Sequence, residues 1–258
     1  MQTLIVDKKF NHKKVSDLLY FHFNGLTKNT LYKAFRKKDI RINDVKISED
    51  TFVHTGDVIT VYIVDSQLWK DIKIEKIYED ENILVINKPV NIEVVGDNSL
   101  TSILKNDYSF ISPCHRLDRN TTGLVLFAKN QKVLDILLDK FKKQEIEKHY
   151  LAKVYGIPKV SSQKLTAYLF KDNKKSMVYI SDTPKKGYVK IETSFTLLKK
   201  DEKEKYSILD VELHTGKTHQ IRAHLAHIGL PIIGDGKYGI NEVNKKFGCK
   251  TQCLCSYK

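Results

Sequence analysis

One carboxylate, Asp118, lies between Arg116 and Arg119 in HRLDRNTTGLVLFAKN, ahead of a Thr-Thr-Gly turn and an apolar run. Such an acid is either half of a surface ion pair or an ionised group kept for reaction. Two other stretches invite a metal reading: His214, His219, His224 and His227 in HTGKTHQIRAHLAHIG, and Cys249, Cys253 and Cys255 in CKTQCLC. Only His224 and His227 share a helix face, and neither HExxH spacing nor a carboxylate pair completes a site. The cysteine spacing is not that of paired zinc knuckles, and no fourth ligand is close in sequence. We expect the histidines to hydrogen-bond backbone or pack around a site, and the cysteines to be small buried thiols on a strand. GDGKYG supplies turn glycines; it is not a GxGxxG set between strand and helix.

The chain that must position these groups has 258 residues, enough for one large domain or a large and a small one. Its 41% hydrophobic content allows a packed core and argues against global disorder. A net charge of +13 points to a polyanionic partner, nucleic acid first. MQTLIVDKKFNHKK reaches charges too early for a signal peptide, and no apolar run approaches the ~20 residues of a membrane span. Four cysteines fit a reduced compartment, so a cytoplasmic protein with no membrane partner is expected.

Residues 1–63 read as a unit of their own. VSDLLYFHFNGL and TKNTLYKAFRKK have helical spacing, the second with Thr30 as a possible cap; DIRINDVKIS, with an Asn-Asp turn, and HTGDVITVYIV read as strands. Residues 64–76 are polar and read as a linker. Residues 77–258 begin with a hairpin in IYEDENILVINKPV and contain an amphipathic helix in VLDILLDKFKKQ. HYLAKVYGI, YVKIETSFTLLKK and YSILDVELHT are strand-like, and Asn173 to Lys186 reads as an exposed loop. Helices and strands without strict alternation predict an α+β fold.

The segment from Thr27 to Asn43 carries Lys28, Lys33, Arg36, Lys37, Lys38 and Arg41, with Lys33, Arg36 and Lys37 on one helical face. Such a face can grip several phosphates or can simply be solvated. The order of two helices and a hairpin ending in GDVITVYI resembles the S-four type of RNA-binding domain, from about Lys14 to Ile63. Lys38-Asp39 replaces the usual glycine after the second helix.

KPVNIEVV, HRLDRNTTG, KHYLAKVYGIP and LHTGKTHQIRAHLAHIGLPIIGDGKYG, in that order, resemble the RluA family of RNA pseudouridine synthases over about Ile77 to Gly239. Thr122 stands where serine is common. Relatives usually continue beyond Tyr257-Lys258, so a shortened C-terminus is expected. The resemblance implies a mixed, mainly antiparallel sheet with flanking helices and a central cleft, no cofactor and no metal. It implies that Asp118 is the catalytic carboxylate, Arg222 its basic partner and Tyr150 the ring that stacks on the target base; Arg116 would fill the space left by a flipped uridine. Moving the glycosidic bond from N1 to C5 passes through a cation-like sugar, which one carboxylate can stabilise or trap. That acid must stay ionised in a dry site, where a guanidinium with two donors suits it. A monomer acting on RNA is expected, with large-subunit ribosomal RNA before transfer RNA. The rivals are a silent RNA-binding or ribosome-assembly protein, and a glycosidase or nucleosidase, which would need a second carboxylate.

Overall fold

A computed structural model describes residues 1–23, 25–68, 73–96 and 99–258. The chain forms two compact units, Met1–Lys73 and Ile74–Lys258.

The first unit contains β1 (Gln2–Ile5), β2 (Lys13–Lys14), α1 (Val15–His22), α2 (Lys28–Lys37), β3 (Ile40–Ile42), β4 (Val45–Ile47), β5 (Phe52–Val53), β6 (Val58–Val61) and α3 (Asp65–Leu68). Its four-stranded sheet has the order β1-β6-β3-β4. Leu18, Leu19, Leu31 and Phe35 from the helices pack on Ile40, Ile59 and Val61. Asn43 and Asp44 take positive φ between β3 and β4, the turn an Asn-Asp pair tolerates. The cap of α2 is Thr27 rather than Thr30: its Oγ1 accepts from the Thr30 backbone N–H. Lys38 closes α2 in the left-handed conformation (φ 59°), where glycine would be unstrained and lysine costs about 1 kcal/mol. Of the expected linker, residues 69–72 lie outside the described residues, and Leu68 is buried in the core of the first unit.

The second unit runs β7 (Glu75–Glu79), β8 (Ile83–Lys88), α4 (Leu100–Leu104), β9 (Ser112–Pro113), β10 (Thr122–Ala128), α5 (Gln131–Lys142) and β11 (His149–Tyr155). It continues with β12 (Ser162–Asp172), β13 (Met177–Ser181), β14 (Val189–Asp201), β15 (Tyr206–Leu213), α6 (Gln220–His227), α7 (Asn241–Lys246) and β16 (Leu254–Ser256). Among the described residues these strands form a sheet of order β13-β12-β14-β15-β11-β16-β10-β8-β7, with β9 on β10. All its pairings are antiparallel except β10 with β16. The fold is thus α+β with a large, mainly antiparallel sheet. Burial alternates along β8 and β11, as expected where one face of each strand meets the core.

Three local expectations change. The Lys-rich stretch Asn173–Lys186 is not a loop throughout, because Met177–Ser181 forms edge strand β13 against β12. The Thr-Thr-Gly turn is displaced: the Thr121 N–H closes on the Asp118 carbonyl, and Thr122 and Gly123 already belong to β10. Only glycine fits at 123, because a Cβ there would stand 1.9 Å from the Ser256 carbonyl oxygen on β16. Of the three cysteines only Cys255 lies on a strand, and all three are half-buried. No helix among the described residues is long and apolar enough to cross a membrane.

Candidate active site

Asp118 sits on the connection between β9 and β10, Arg222 in the first turn of α6, and Tyr150 on β11. The strand β16 draws these segments together. It pairs with β10 at Gly123 and with β11 at Tyr150, and Ser256 is the partner in both cases. Tyr150 is therefore two strands across from Gly123, five residues beyond Asp118.

Arg222 Nη1 donates to Asp118 Oδ2 at 2.8 Å, across 104 residues of sequence. Asp118 Oδ1 takes no hydrogen bond from any described residue, and the side chain keeps 27% of its surface exposed. One oxygen is fixed and the other is open. The two-donor grip expected for Asp118 goes elsewhere: Arg222 Nε and Nη2 hold Asp235 at 2.6 and 2.9 Å. Asp235 is fully buried and also accepts the Lys237 and Tyr238 backbone N–H groups. Burial raises the Asp235 carboxyl, but Arg222 and those N–H groups hold it below its ordinary value. With four donors it is an anchor rather than a second reacting acid. Burial likewise lowers the Arg222 guanidinium, and its two carboxylates more than restore it.

Tyr150 is 5% exposed, and burial pushes its phenol up to about 12, so it is protonated at neutral pH. Lys88, from the KPVNIEVV stretch, is fully buried and gives its three donors to the carbonyls of Pro89, Ile92 and Arg119 at 2.8–3.1 Å. Burial brings its ammonium down to about 8, while the Asp118 charge acts in the opposite sense. Lys88 thus ties the segment after β8 to the loop carrying Asp118. His115 braces that loop from behind, its Nε2 accepting from the Leu126 N–H at 3.1 Å.

The histidines bond side chains rather than backbone. His214 meets Ser194, His219 meets Tyr238, His224 meets Thr193 and His227 meets Asp182. His219 Nε2 is 3.9 Å from Asp118 Oδ2. Arg116 is exposed and pairs with no described residue, and Arg119 reaches the Asn91 carbonyl. The other predicted cations belong to the first unit. Lys28, Lys33, Arg36 and Lys37 are exposed on α2 and Lys38 on its cap, but Arg41 lies on β3 with its guanidinium over Tyr62. Sequence reasoning missed Lys88, Asp235 and Tyr238. An acid between two glycines after an apolar run, PIIGDG, and a lysine ending an apolar strand were the available signals.

The model of the RNA pseudouridylate synthase family matches residues 82–227, more than half of the chain and the span from β8 to α6. The chain belongs to that family. This pseudouridine synthase sequence is 29% identical over 259 residues to the ribosomal large subunit pseudouridine synthase C of Vibrio parahaemolyticus, covering 93% of this chain and 80% of that one. It is 31% identical over 246 residues to the mitochondrial tRNA pseudouridine(32) synthase of Saccharomyces cerevisiae, covering 92% of this chain and 52% of that protein. Its fold resembles human RNA pseudouridylate synthase domain containing 1, with a TM-score of 0.62, 22% identity, and coverage of 71% of this chain and 76% of that one. The family match and the curated relatives place the synthase in the RluA branch, whose members are isomerases.

Buried His224 and half-buried His115 should make the synthase acid-sensitive. Burial lowers His115 and His224 to about 4, against 6.5 when unfolded. Between these values the unfolded chain binds more protons than the folded one, so stability falls as pH falls from about 6.5 to 4. Urea titrations at pH 7 and pH 5 should differ by on the order of 1–2 kcal/mol per histidine. An equal midpoint at both pH values would contradict the buried, neutral state of these rings.

Proposed function

We propose that this synthase converts one or a few uridines of large-subunit ribosomal RNA to pseudouridine, with Asp118 as the carboxylate that meets the ribose. The observation that carries the assignment is the asymmetry of Asp118: Arg222 holds Oδ2, and Oδ1 is open. With Oδ1 at C1′, the carboxylate can stabilise or trap the sugar cation as the bond to N1 breaks. Arg222 orients the acid and faces it with a permanent positive charge, because a guanidinium stays charged even when largely buried. Tyr150, kept protonated, offers a ring face to the uracil and a neutral hydroxyl beside the sugar. Arg116, exposed and unpaired among the described residues, occupies the helix position of the extruded nucleotide. No water has to be activated, so one reacting acid is sufficient, and the four donors on Asp235 argue against a glycosidase pair.

The first unit is read as an S-four-type RNA-binding domain. Its support is the two-helix and hairpin order and the exposed cations of α2. An appended module suits a large RNA, since contacts away from the flipped base raise the local concentration of the catalytic unit. The relative named for large-subunit RNA favours that substrate. The yeast relative named for tRNA position 32 supports a second reading, a tRNA loop uridine. Reverse-transcription mapping of pseudouridine in total RNA, with and without the gene, separates them. Loss confined to tRNA, with every ribosomal site intact, would overturn the ribosomal assignment. The triple variant Lys33→Ala/Arg36→Ala/Lys37→Ala should bind target RNA more weakly. Its log–log salt slope should be shallower by about 0.7 for each lost phosphate contact. An unchanged slope would make this helix face merely solvated.

A further inference from the structure

His219 and Tyr238 are linked side chain to side chain next to Asp118. The Tyr238 hydroxyl accepts from the Val178 backbone N–H at 2.9 Å and lies 2.9 Å from His219 Nδ1. Among the described residues, Nδ1 is the one acceptor within reach of the hydroxyl proton. With Val178 donating to the hydroxyl oxygen, both groups are satisfied when Tyr238 donates to Nδ1, which puts the proton of the neutral ring on Nε2. Burial lowers the His219 imidazole below its ordinary value, in keeping with a neutral ring. Nε2 has no hydrogen-bond partner among the described residues; the nearest acid oxygen, Asp118 Oδ2, is 3.9 Å away and already held by Arg222.

The backbone supports the same placement. His219 precedes α6 in the left-handed conformation (φ 53°, ψ 17°), unusual for a non-glycine residue, and makes no side-chain capping bond. His219 lines a cavity of about 280 Å³ between the β12–β13 hairpin and Lys237. A conformation costing about 1–3 kcal/mol thus presents an unused N–H at the edge of the reacting carboxylate.

We propose that the His219 Nε2–H donates a hydrogen bond to the O2 carbonyl of the target uracil as the base detaches. This inference rests on the pseudouridine synthase reading. When the bond from C1′ to N1 breaks, its electron pair stays with the base, and the negative charge spreads from N1 onto O2 and O4. O2 is two bonds from N1, so a ribose C1′ at Asp118 brings O2 within reach of a donor beside that acid. Overall, the glycosidic bond moves from N1 to C5 and one proton moves from C5 to N1. His219 keeps its own proton throughout and stabilises the anion in the manner of an oxyanion hole. Tyr238 positions the donor by selecting the tautomer.

The test is a cycle between protein and substrate, read as single-turnover rates at saturating target RNA carrying either uridine or 2-thiouridine. Sulfur accepts hydrogen bonds poorly, so the wild type should lose about tenfold or more on the thio substrate. His219→Asn retains the left-handed backbone but lacks the ring; it should be about a hundredfold slower on uridine with RNA affinity unchanged. On 2-thiouridine it should lose no more than about twofold further, because the contact is already gone. Tyr238→Phe, which frees the tautomer, should lose less on uridine and show an intermediate thio effect. The same thio effect in wild type and both variants would overturn the proposal. If the wild type makes no pseudouridine in either RNA, the functional reading itself falls.

Discussion

Asp118→Asn should reduce pseudouridine formation by more than about 10³-fold while leaving the fold and RNA binding nearly intact. The amide has the same shape, and its carbonyl oxygen can still accept from Arg222 Nη1, so the 2.8 Å contact has a replacement. What is lost is the charge that can meet a sugar cation. Nucleoside analysis of target RNA, together with thermal unfolding, measures both halves of the expectation. Turnover within tenfold of wild type would remove Asp118 from the chemistry, and so would an unfolded variant whose refolded fraction is fully active.

Arg222→Ala should have the largest combined effect, on activity and on stability. It leaves Asp118 without its cation and Asp235 fully buried without its ion partner. Breaking a buried pair from one side costs about 3–5 kcal/mol, because an uncompensated carboxylate remains in a site closed to water. The double variant Arg222→Met/Asp235→Asn separates the two losses. The Asn carbonyl can still accept from the Lys237 and Tyr238 N–H groups, and no buried charge remains. That variant should recover much of the stability measured in urea and none of the activity. Equal unfolding midpoints for wild type and Arg222→Ala would contradict the anchoring role of Asp235, and a wild-type rate would remove Arg222 from the site.

Much of the second unit was legible because its signals are local. The alternation in ILVINK and HYLAKVY depends on which face of each strand is buried, and both became strands of the sheet. The stretch that became β13 gave no such signal. An edge strand is paired on one side only and is flanked here by lysines, so its composition is that of a loop. The choice of Thr27 over Thr30 as the cap of α2 was equally hidden. Both are threonines at compatible spacing, and only the start of α2 at Lys28 shows which one precedes the first turn.

The sequence by itself determined the family, the α+β class and the types of side chain brought to the site, since these depend on ordered motifs and short-range periodicity. The tertiary structure decided how those side chains are used. It divided Arg222 between a single donor for Asp118 and a two-donor clasp on Asp235, and it left one oxygen of Asp118 open. Insertion of β16 between β10 and β11 set Tyr150 across from the loop of Asp118. The fold also set the Tyr238 hydroxyl against Nδ1 of His219, 19 residues earlier in the chain, at 2.9 Å. Each of these outcomes depends on distances between residues far apart in the chain and on which polar groups burial leaves with a single available partner, neither of which local spacing encodes.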